Sequence, residues 1–185
     1  MVDKGLIKSI KNDFFSLRNG MVTDRLRKAG SPYKIIFGLL IPQIEQIAAR
    51  LEPSADLAEW LWDNVSTRES RLLAVMVYPQ DEFVIDMAEK WSAESDTVEL
   101  TDVLCFRLVR NVPDAWRLVV EKADSPDENI RYFSFRLGMN LLITGKVNDN
   151  ELLYRKAKAE YAKNIVKTKS VALQIIEEID FMNDK

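Results

Sequence analysis

Helical patterns recur in pairs along most of this chain, and a proline or a glycine separates each pair from the next. The pairs lie at about residues 54–78, 81–111, 114–144 and 149–182. Helix pairs that repeat at intervals of this size are typical of solenoids, in which each pair packs on its neighbours. No alternating strand pattern competes with them. The sequence therefore predicts an all-α fold, an α-solenoid of HEAT-like antiparallel helix pairs (an α-α superhelix), in a single domain over residues 1–185. A compact helical bundle is the structural alternative.

Three more helices are predicted before the pairs. Residues 4–29 hold two of them, with a stop at Asn19-Gly20, and Pro42 begins the third. Within the pairs, three helix starts carry capping patterns: Ser66 with Glu69, Asp96 with Glu99, and Ser125-Pro126-Asp127-Glu128.

The composition excludes several kinds of chemistry. The chain is 47% hydrophobic and 30% charged, with no histidine and one cysteine, Cys105. It therefore lacks the usual general base and the commonest metal ligand. Since there is also no phosphate-loop or zinc pattern, we expect neither a cofactor nor a metal. One cysteine cannot form an internal disulfide, and the longest apolar run, residues 35–41, is too short to cross a bilayer. A cytoplasmic protein without membrane contact is expected.

Charge is distributed unevenly along the chain. Residues 1–50 hold nine Lys and Arg against four Asp and Glu, whereas residues 51–145 hold nine against eighteen. Residues 146–169 are basic again, with seven against three. Two basic ends could hold a polyanion, because phosphate contacts dominate nucleic-acid affinity. Helix surfaces of mixed charge are the plainer explanation.

A thin polar stripe crosses an otherwise apolar helix predicted over residues 94–111. Its members are spaced three or four residues apart and share one helical face: Glu99, Asp102, Phe106 and Arg110. The other faces are apolar and include Cys105, which fits a small core residue. The stripe is either the floor of a ligand groove or a solvated surface.

Five short segments, taken in order, resemble one family. They read FGLLIP at 37–42, WLWD at 60–63, RESRLLA at 68–74, DTVE at 96–99 and NIR at 129–131. In this order they resemble the AlkD-like DNA alkylation repair family, which are HEAT-like repeat DNA glycosylases. The resemblance covers roughly residues 35–142.

The resemblance implies a specific activity. Such proteins cradle duplex DNA on a basic concave face and favour loss of cationic methylated purines, because a carboxylate stabilises the positive charge that develops on the deoxyribose. Glu99 falls where the family has its catalytic aspartate, and Arg131 falls on the matching arginine. Ser95 stands where the family has an active-site tryptophan. The candidates for DNA contact are basic residues and one aromatic residue: Arg68, Arg71, Arg107, Arg110 and Trp62.

Each candidate also has a structural interpretation. Glu99 could complete a capping box with Asp96, and Arg131 could pair with Asp127 four residues earlier. The remaining arginines could be neutralised by the many nearby acids. Two functions stay open: a protein that binds duplex DNA and excises cationic alkylated purines, or a non-catalytic HEAT-like module that binds a protein or nucleic-acid partner.

Overall fold

The computed structural model describes residues 2–184, and this part of the chain is helical. No strand forms in it, and Ile35 and Thr67 make one isolated parallel bridge. The all-α prediction is confirmed. The helices are α1 (Lys4–Ser16), α2 (Gly20–Lys28), α3 (Ile41–Ala48), α4 (Ala55–Trp62), α5 (Arg68–Val77), α6 (Ile85–Glu94), α7 (Val98–Arg107), α8 (Ala115–Lys122), α9 (Glu128–Ile143), α10 (Asn150–Ala162) and α11 (Val166–Asn183).

The chain forms two compact units. The first runs up to Glu82 and holds α1 to α5, and the second begins at Phe83 and holds α6 to α11. The expected single domain over the whole chain stays a prediction.

Helix α5 is the centre of the first unit. Nine of its ten residues are buried, so it is surrounded on nearly every side. Helices α3 and α4 pack against it. Two of the buried residues are arginines, Arg68 and Arg71, which means that part of the positive charge of this unit lies inside it.

Helix α9 is the central helix of the second unit. Ten of its sixteen residues are buried, and α7, α8 and α11 pack against it, while α10 packs on α11. At Gly138 a Cβ atom would lie 3.0 Å from Leu153 Cδ1 and 3.4 Å from Val119 Cγ1. Because Gly138 has no side chain, α9 can lie close to α10, which carries Leu153, and to α8, which carries Val119.

Several helix boundaries in the structure differ from the predicted ones. Residues 94–111, predicted as one helix, divide into α7 and a 3₁₀ turn at Val109–Asn111. The predicted cap Asp96 is wrong, because Thr97 is the N-cap and its hydroxyl accepts a hydrogen bond from the Leu100 amide at 3.2 Å.

The other two capping patterns also differ from expectation. Thr67 precedes α5 without a side-chain cap, and Glu69 binds elsewhere. At α9 the capping side chain is Asp127, which accepts from Asn129 N at 2.7 Å, while Ser125 Oγ accepts from Asp127 N at 3.2 Å.

Across residues 2–184, no helix combines the length and the apolar character that a membrane span requires.

Candidate functional site

The polar stripe predicted on α7 lies at the surface of the second unit. We call Glu99, Asp102, Phe106 and Arg110 the α7 stripe. Phe106 is 48% exposed, and the other three side chains belong to half-buried residues. The Arg110 guanidinium lies over the Phe106 ring, 3.9 Å from its centroid. An exposed aromatic face and a cation therefore stand together at one end of the stripe.

Asp102 is held in place by two side chains of α9. Its Oδ1 atom accepts a hydrogen bond from Tyr132 Oη at 2.7 Å and an ion-pair contact from Arg136 Nε at 2.8 Å. Arg136 also donates to Tyr132 Oη, with Nη2 at 3.1 Å. The three groups form a closed network, so the Asp102 carboxylate is fixed before any ligand arrives.

Burial, hydrogen bonds and the Asp102 charge together set the charge states in this network. Burial, followed by the hydrogen bond to Asp102, raises the pKa of Tyr132 well above its ordinary value. Burial opposes the charge of Arg136, but the Tyr132 hydrogen bond and the Asp102 charge outweigh it and raise the pKa of Arg136. Tyr132 is therefore a neutral hydrogen-bond donor near neutral pH, and the positively charged Arg136 forms an ion pair with Asp102. Glu99, one turn away in the first turn of α7, adds a second carboxylate to this side.

Arg131 is turned into the core of the second unit. It is 7% exposed, and its Nε atom lies 2.9 Å from Glu160 Oε1. Its Nη1 atom donates to the carbonyls of Ser125 at 2.7 Å and Pro126 at 3.0 Å. The interpretation of Arg131 as an ion-pair residue is thus supported, with Glu160 as the partner in place of Asp127. These contacts leave the guanidinium engaged inside the protein.

Glu160 collects further donors. Thr168 Oγ1 donates to it at 2.7 Å, and Lys163 Nζ lies 2.7 Å from its other oxygen. Burial alone would raise the pKa of Glu160, but the hydrogen bonds from Lys163, Thr168 and Arg131 outweigh it and lower the pKa. A charged Glu160 thus ties α9, α10 and α11 together.

Arg68 is a core residue of the first unit. Its Nη1 atom donates to the Leu39 carbonyl at 2.9 Å and lies 2.8 Å from Glu69 Oε1. Glu69 in turn accepts the backbone N–H groups of Phe37 at 3.1 Å, Gly38 at 2.9 Å and Leu39 at 3.3 Å. The predicted capping role of Glu69 is wrong, because its carboxylate binds the segment before α3.

Trp62 and Arg71 contact each other inside the same core. The Arg71 guanidinium lies 4.0 Å from the centroid of the Trp62 ring, and the two residues are 1% and 2% exposed. Of the two tryptophans in this segment, Trp60 is the exposed one, at 36%. Burial removes Trp62, Arg68 and Arg71 from the surface that a DNA molecule would touch. Glu99, Arg107 and Arg110 are half-buried and keep part of their surface accessible.

Ser95 and Cys105 lie in the core of the second unit. Ser95 is 4% exposed at the end of α6, and its hydroxyl makes no hydrogen bond among the described residues. Burial raises the pKa of the Cys105 thiol well above its ordinary value, and the Asp102 charge adds to the effect. This favours a packing role for the cysteine. No group of three or more acidic or cysteine side chains in residues 2–184 is placed to hold a metal ion.

Two residues of this site were missed in the sequence. Tyr132 and Arg136 lie four positions apart on α9, and this spacing on one helix face is the signal that could have found them. Their partner, Asp102, is thirty residues away from Tyr132, so local spacing could not show the contact.

The chain resembles a known protein family in sequence and a solved structure in fold. The family model described as DNA alkylation repair enzyme matches residues 13–134, more than half of the chain. A search of curated proteins finds no match. One solved structure matches with a TM-score of 0.75 and 16% identity, over 93% of this chain and 74% of that chain. That protein belongs to a family related to the HEAT-like repeat DNA glycosylases, with affinity for branched DNA structures. At this identity the match shows the fold, which is that of HEAT-like helix repeats.

Proposed function

The chain belongs to the DNA alkylation repair enzyme family, and from this premise we propose that it binds duplex DNA at the α7 stripe and promotes the loss of cationic alkylated purines. The observation that carries the proposal is the pair of carboxylates on α7. The resemblance places Glu99 where the family has its catalytic aspartate. Glu99 is half-buried on α7, and Tyr132 and Arg136 fix Asp102 one turn further along the helix.

The chemistry needs little beyond a fixed negative charge. Cleavage of the N-glycosidic bond passes through a transition state in which the sugar resembles an oxocarbenium ion, and a preorganised anion stabilises that charge. A purine that is already cationic leaves without a proton from the protein, so a chain without histidine can still support the reaction. Glu99 is the charge-stabilising residue in this proposal.

Phe106 and Arg110 supply the remaining contacts. The exposed Phe106 ring offers an apolar surface to a sugar or a base, and the Arg110 cation stacked on it can approach a phosphate. Arg131 acts as a positioning residue, because its core contacts hold α9, which carries Tyr132 and Arg136.

The test is release of free purine base from methylated duplex DNA. We expect Glu99→Gln to lower the rate about a hundredfold, the scale of losing one preorganised electrostatic group in an active site. Glu94→Gln, an exposed acid at the end of α6, is the matched control and should leave the rate unchanged. Equal rates from the two variants, or no release by the wild type, would refute excision at Glu99.

A second function, binding without excision, has its own support. The buried Ser95 provides no aromatic wall where the family has a tryptophan, and the structural neighbour has affinity for branched DNA. In this case DNA affinity falls steeply with rising salt, as phosphate contacts require, while no base is released. Binding that is absent or insensitive to salt would point to a protein partner.

A further inference from the structure

A cavity of about 520 Å³ opens in the first unit, far along the chain from the α7 stripe. Its walls come from α1, the segment before α3, α4 and the start of α5. The volume lies within the range of about 300–1,000 Å³ that is usual for small-molecule sites. We call it the α1–α4 pocket.

Large exposed apolar side chains, two of them aromatic, line the pocket. Phe15 on α1 is 58% exposed, Trp60 on α4 is 36% exposed, and Ile35 is 46% exposed. The Arg18 guanidinium stacks over the Phe15 ring, 4.0 Å from its centroid. Large apolar side chains exposed together on one surface usually mark a binding site.

Hydrogen bonds hold the wall formed by the segment before α3. Ile35 N donates to the Ser66 carbonyl at 2.9 Å, and Arg68 N donates to the Ile35 carbonyl at 3.1 Å. Phe37, also in the lining, has its N–H bound by Glu69. Because hydrogen bonds to Ser66, Arg68 and the Glu69 carboxylate hold residues 35–37 in place, the pocket is formed before a ligand enters.

Charge and polarity identify the ligand. Lys11 is the one charged residue among those lining the pocket, which include the amides Asn12 and Asn64 and no carboxylate. All nine Lys and Arg of residues 1–50 are exposed. Among the four acids in that stretch, Asp13 is neutralised by Arg50 at 3.0 Å. A flat aromatic ring can stack on the exposed aromatic side chains, an anion can pair with Lys11 or with Arg18 beside Phe15, and the two amides can hydrogen-bond the edge of a heterocycle.

We propose that the α1–α4 pocket binds an unpaired nucleotide of DNA. The base stacks on Phe15 and Trp60, and its phosphate lies near Lys11 and Arg18. Stacking on aromatic residues beside a basic track is the general way in which proteins hold single-stranded nucleic acid. The inference shares one premise with the proposed function, namely that the protein binds DNA, and it requires no excision.

The test compares a continuous duplex with the same duplex carrying a two-nucleotide single-stranded gap that contains 2-aminopurine. We expect the gapped DNA to bind at least about fivefold more tightly, as one stacked base provides. Quenching of the 2-aminopurine fluorescence should accompany binding. Phe15→Ala should abolish both the preference and the quenching, and Lys11→Ala should reduce the preference.

Two controls separate the pocket from general effects. Phe181→Ala removes an equally exposed phenylalanine (57%) of α11, and it should keep the preference. Lys8→Ala removes an exposed lysine of α1 that does not line the pocket, and it should leave the ratio of the two affinities, for gapped and for continuous DNA, unchanged. Trp60→Ala is a second pocket variant, for use if Phe15→Ala lowers the folded fraction.

Each other outcome overturns the inference in a recognisable way. Equal affinity for gapped and continuous DNA leaves the proposed function standing and removes the nucleotide site. Absence of any DNA binding removes both. An apolar helical peptide that shifts the Trp60 emission, where gapped DNA does not, would assign the pocket to a protein partner.

Discussion

The backbone nitrogen of Gly38 lies 2.9 Å from Oε1 of Glu69, a buried carboxylate thirty-one residues later in the chain. The amides on both sides of Gly38 donate to the same carboxylate, and Arg68 balances its charge at 2.8 Å. The contact joins two of the family segments, 37–42 and 68–74, in one network. These segments are thus part of the scaffold of the first unit.

Replacing Glu69 should therefore cost stability. We expect Glu69→Gln to lower the free energy of unfolding by about 3 kcal/mol, because it leaves Arg68 buried without its charge partner. Urea unfolding monitored by circular dichroism measures the change. Glu59→Gln, an exposed acid of α4, should alter it by less than about 0.5 kcal/mol. Equal values for the two variants would contradict the assigned role.

Gly38 and Gly30 allow a matched comparison. Both have a positive φ, of 81° and 83°, so alanine is strained at either position by about 1–2 kcal/mol. At Gly38 the new Cβ would also lie 2.2 Å from the Asn19 carbonyl oxygen, whereas nothing lies within 4 Å at Gly30. Thermal unfolding should show Gly38→Ala to be clearly more destabilising than Gly30→Ala. Similar melting temperatures would mean that the segment can move away from α2.

Arg131 should behave as a stability residue. We expect Arg131→Met to lower the free energy of unfolding by about 3 kcal/mol, since it leaves Glu160 charged and buried. The double variant Arg131→Met/Glu160→Leu should lose much less than the sum of the two single variants, because it removes both charges. If Arg131→Met is as stable as wild type but binds DNA more weakly, the arginine contacts phosphate instead.

The lowered pKa of Glu160 predicts a loss of stability in acid. A carboxyl group with a lowered pKa in the folded state stabilises the protein at pH values above its ordinary pKa of 4.5. This contribution to stability is lost as the pH falls through the folded-state pKa. The urea midpoint of the wild type should therefore fall more steeply than that of Glu160→Gln as the pH drops below the ordinary carboxyl pKa of 4.5. Glu177→Gln, an exposed acid of α11, should keep the wild-type slope. Parallel curves for wild type and Glu160→Gln would show that Glu160 has an ordinary pKa.

The sequence predicted helices well and partners poorly, for a physical reason. Periodicity and breakers act over a few residues, so α1, α2 and the helix pairs could be derived locally. The stop predicted at Asn19-Gly20 is wrong in detail, because α1 ends at Ser16 and Asn19 caps the start of α2. Side-chain partners, by contrast, are set by tertiary packing, which brings together residues that are distant in the sequence. The capping pattern predicts that Glu69 binds at the start of its own helix, whereas its carboxylate binds residues 37–39. The ion-pair interpretation of Arg131 names Asp127 as the partner, whereas the partner in the structure is Glu160.

The sequence likewise predicts only part of the candidate site. Spacing on one predicted helix indicates the α7 stripe. Glu99, Asp102 and Phe106 do lie on α7, whereas Arg110 lies in the 3₁₀ turn that follows it and stacks on Phe106. Whether an arginine faces solvent depends on packing that spacing does not encode. This is why Arg68 and Arg71, on the crowded helix α5, are buried, while Arg110 lies at the surface.

The Glu69 network also has a consequence for backbone motion. Residues 37–39 belong to no helix, yet their three amide protons are all bound by one buried carboxylate. Such protons exchange with deuterium from solvent only when Glu69 withdraws, and withdrawal breaks its contact with Arg68 as well. In exchange experiments this extended segment should open in one step with α5, as part of the same cooperative unit of folding.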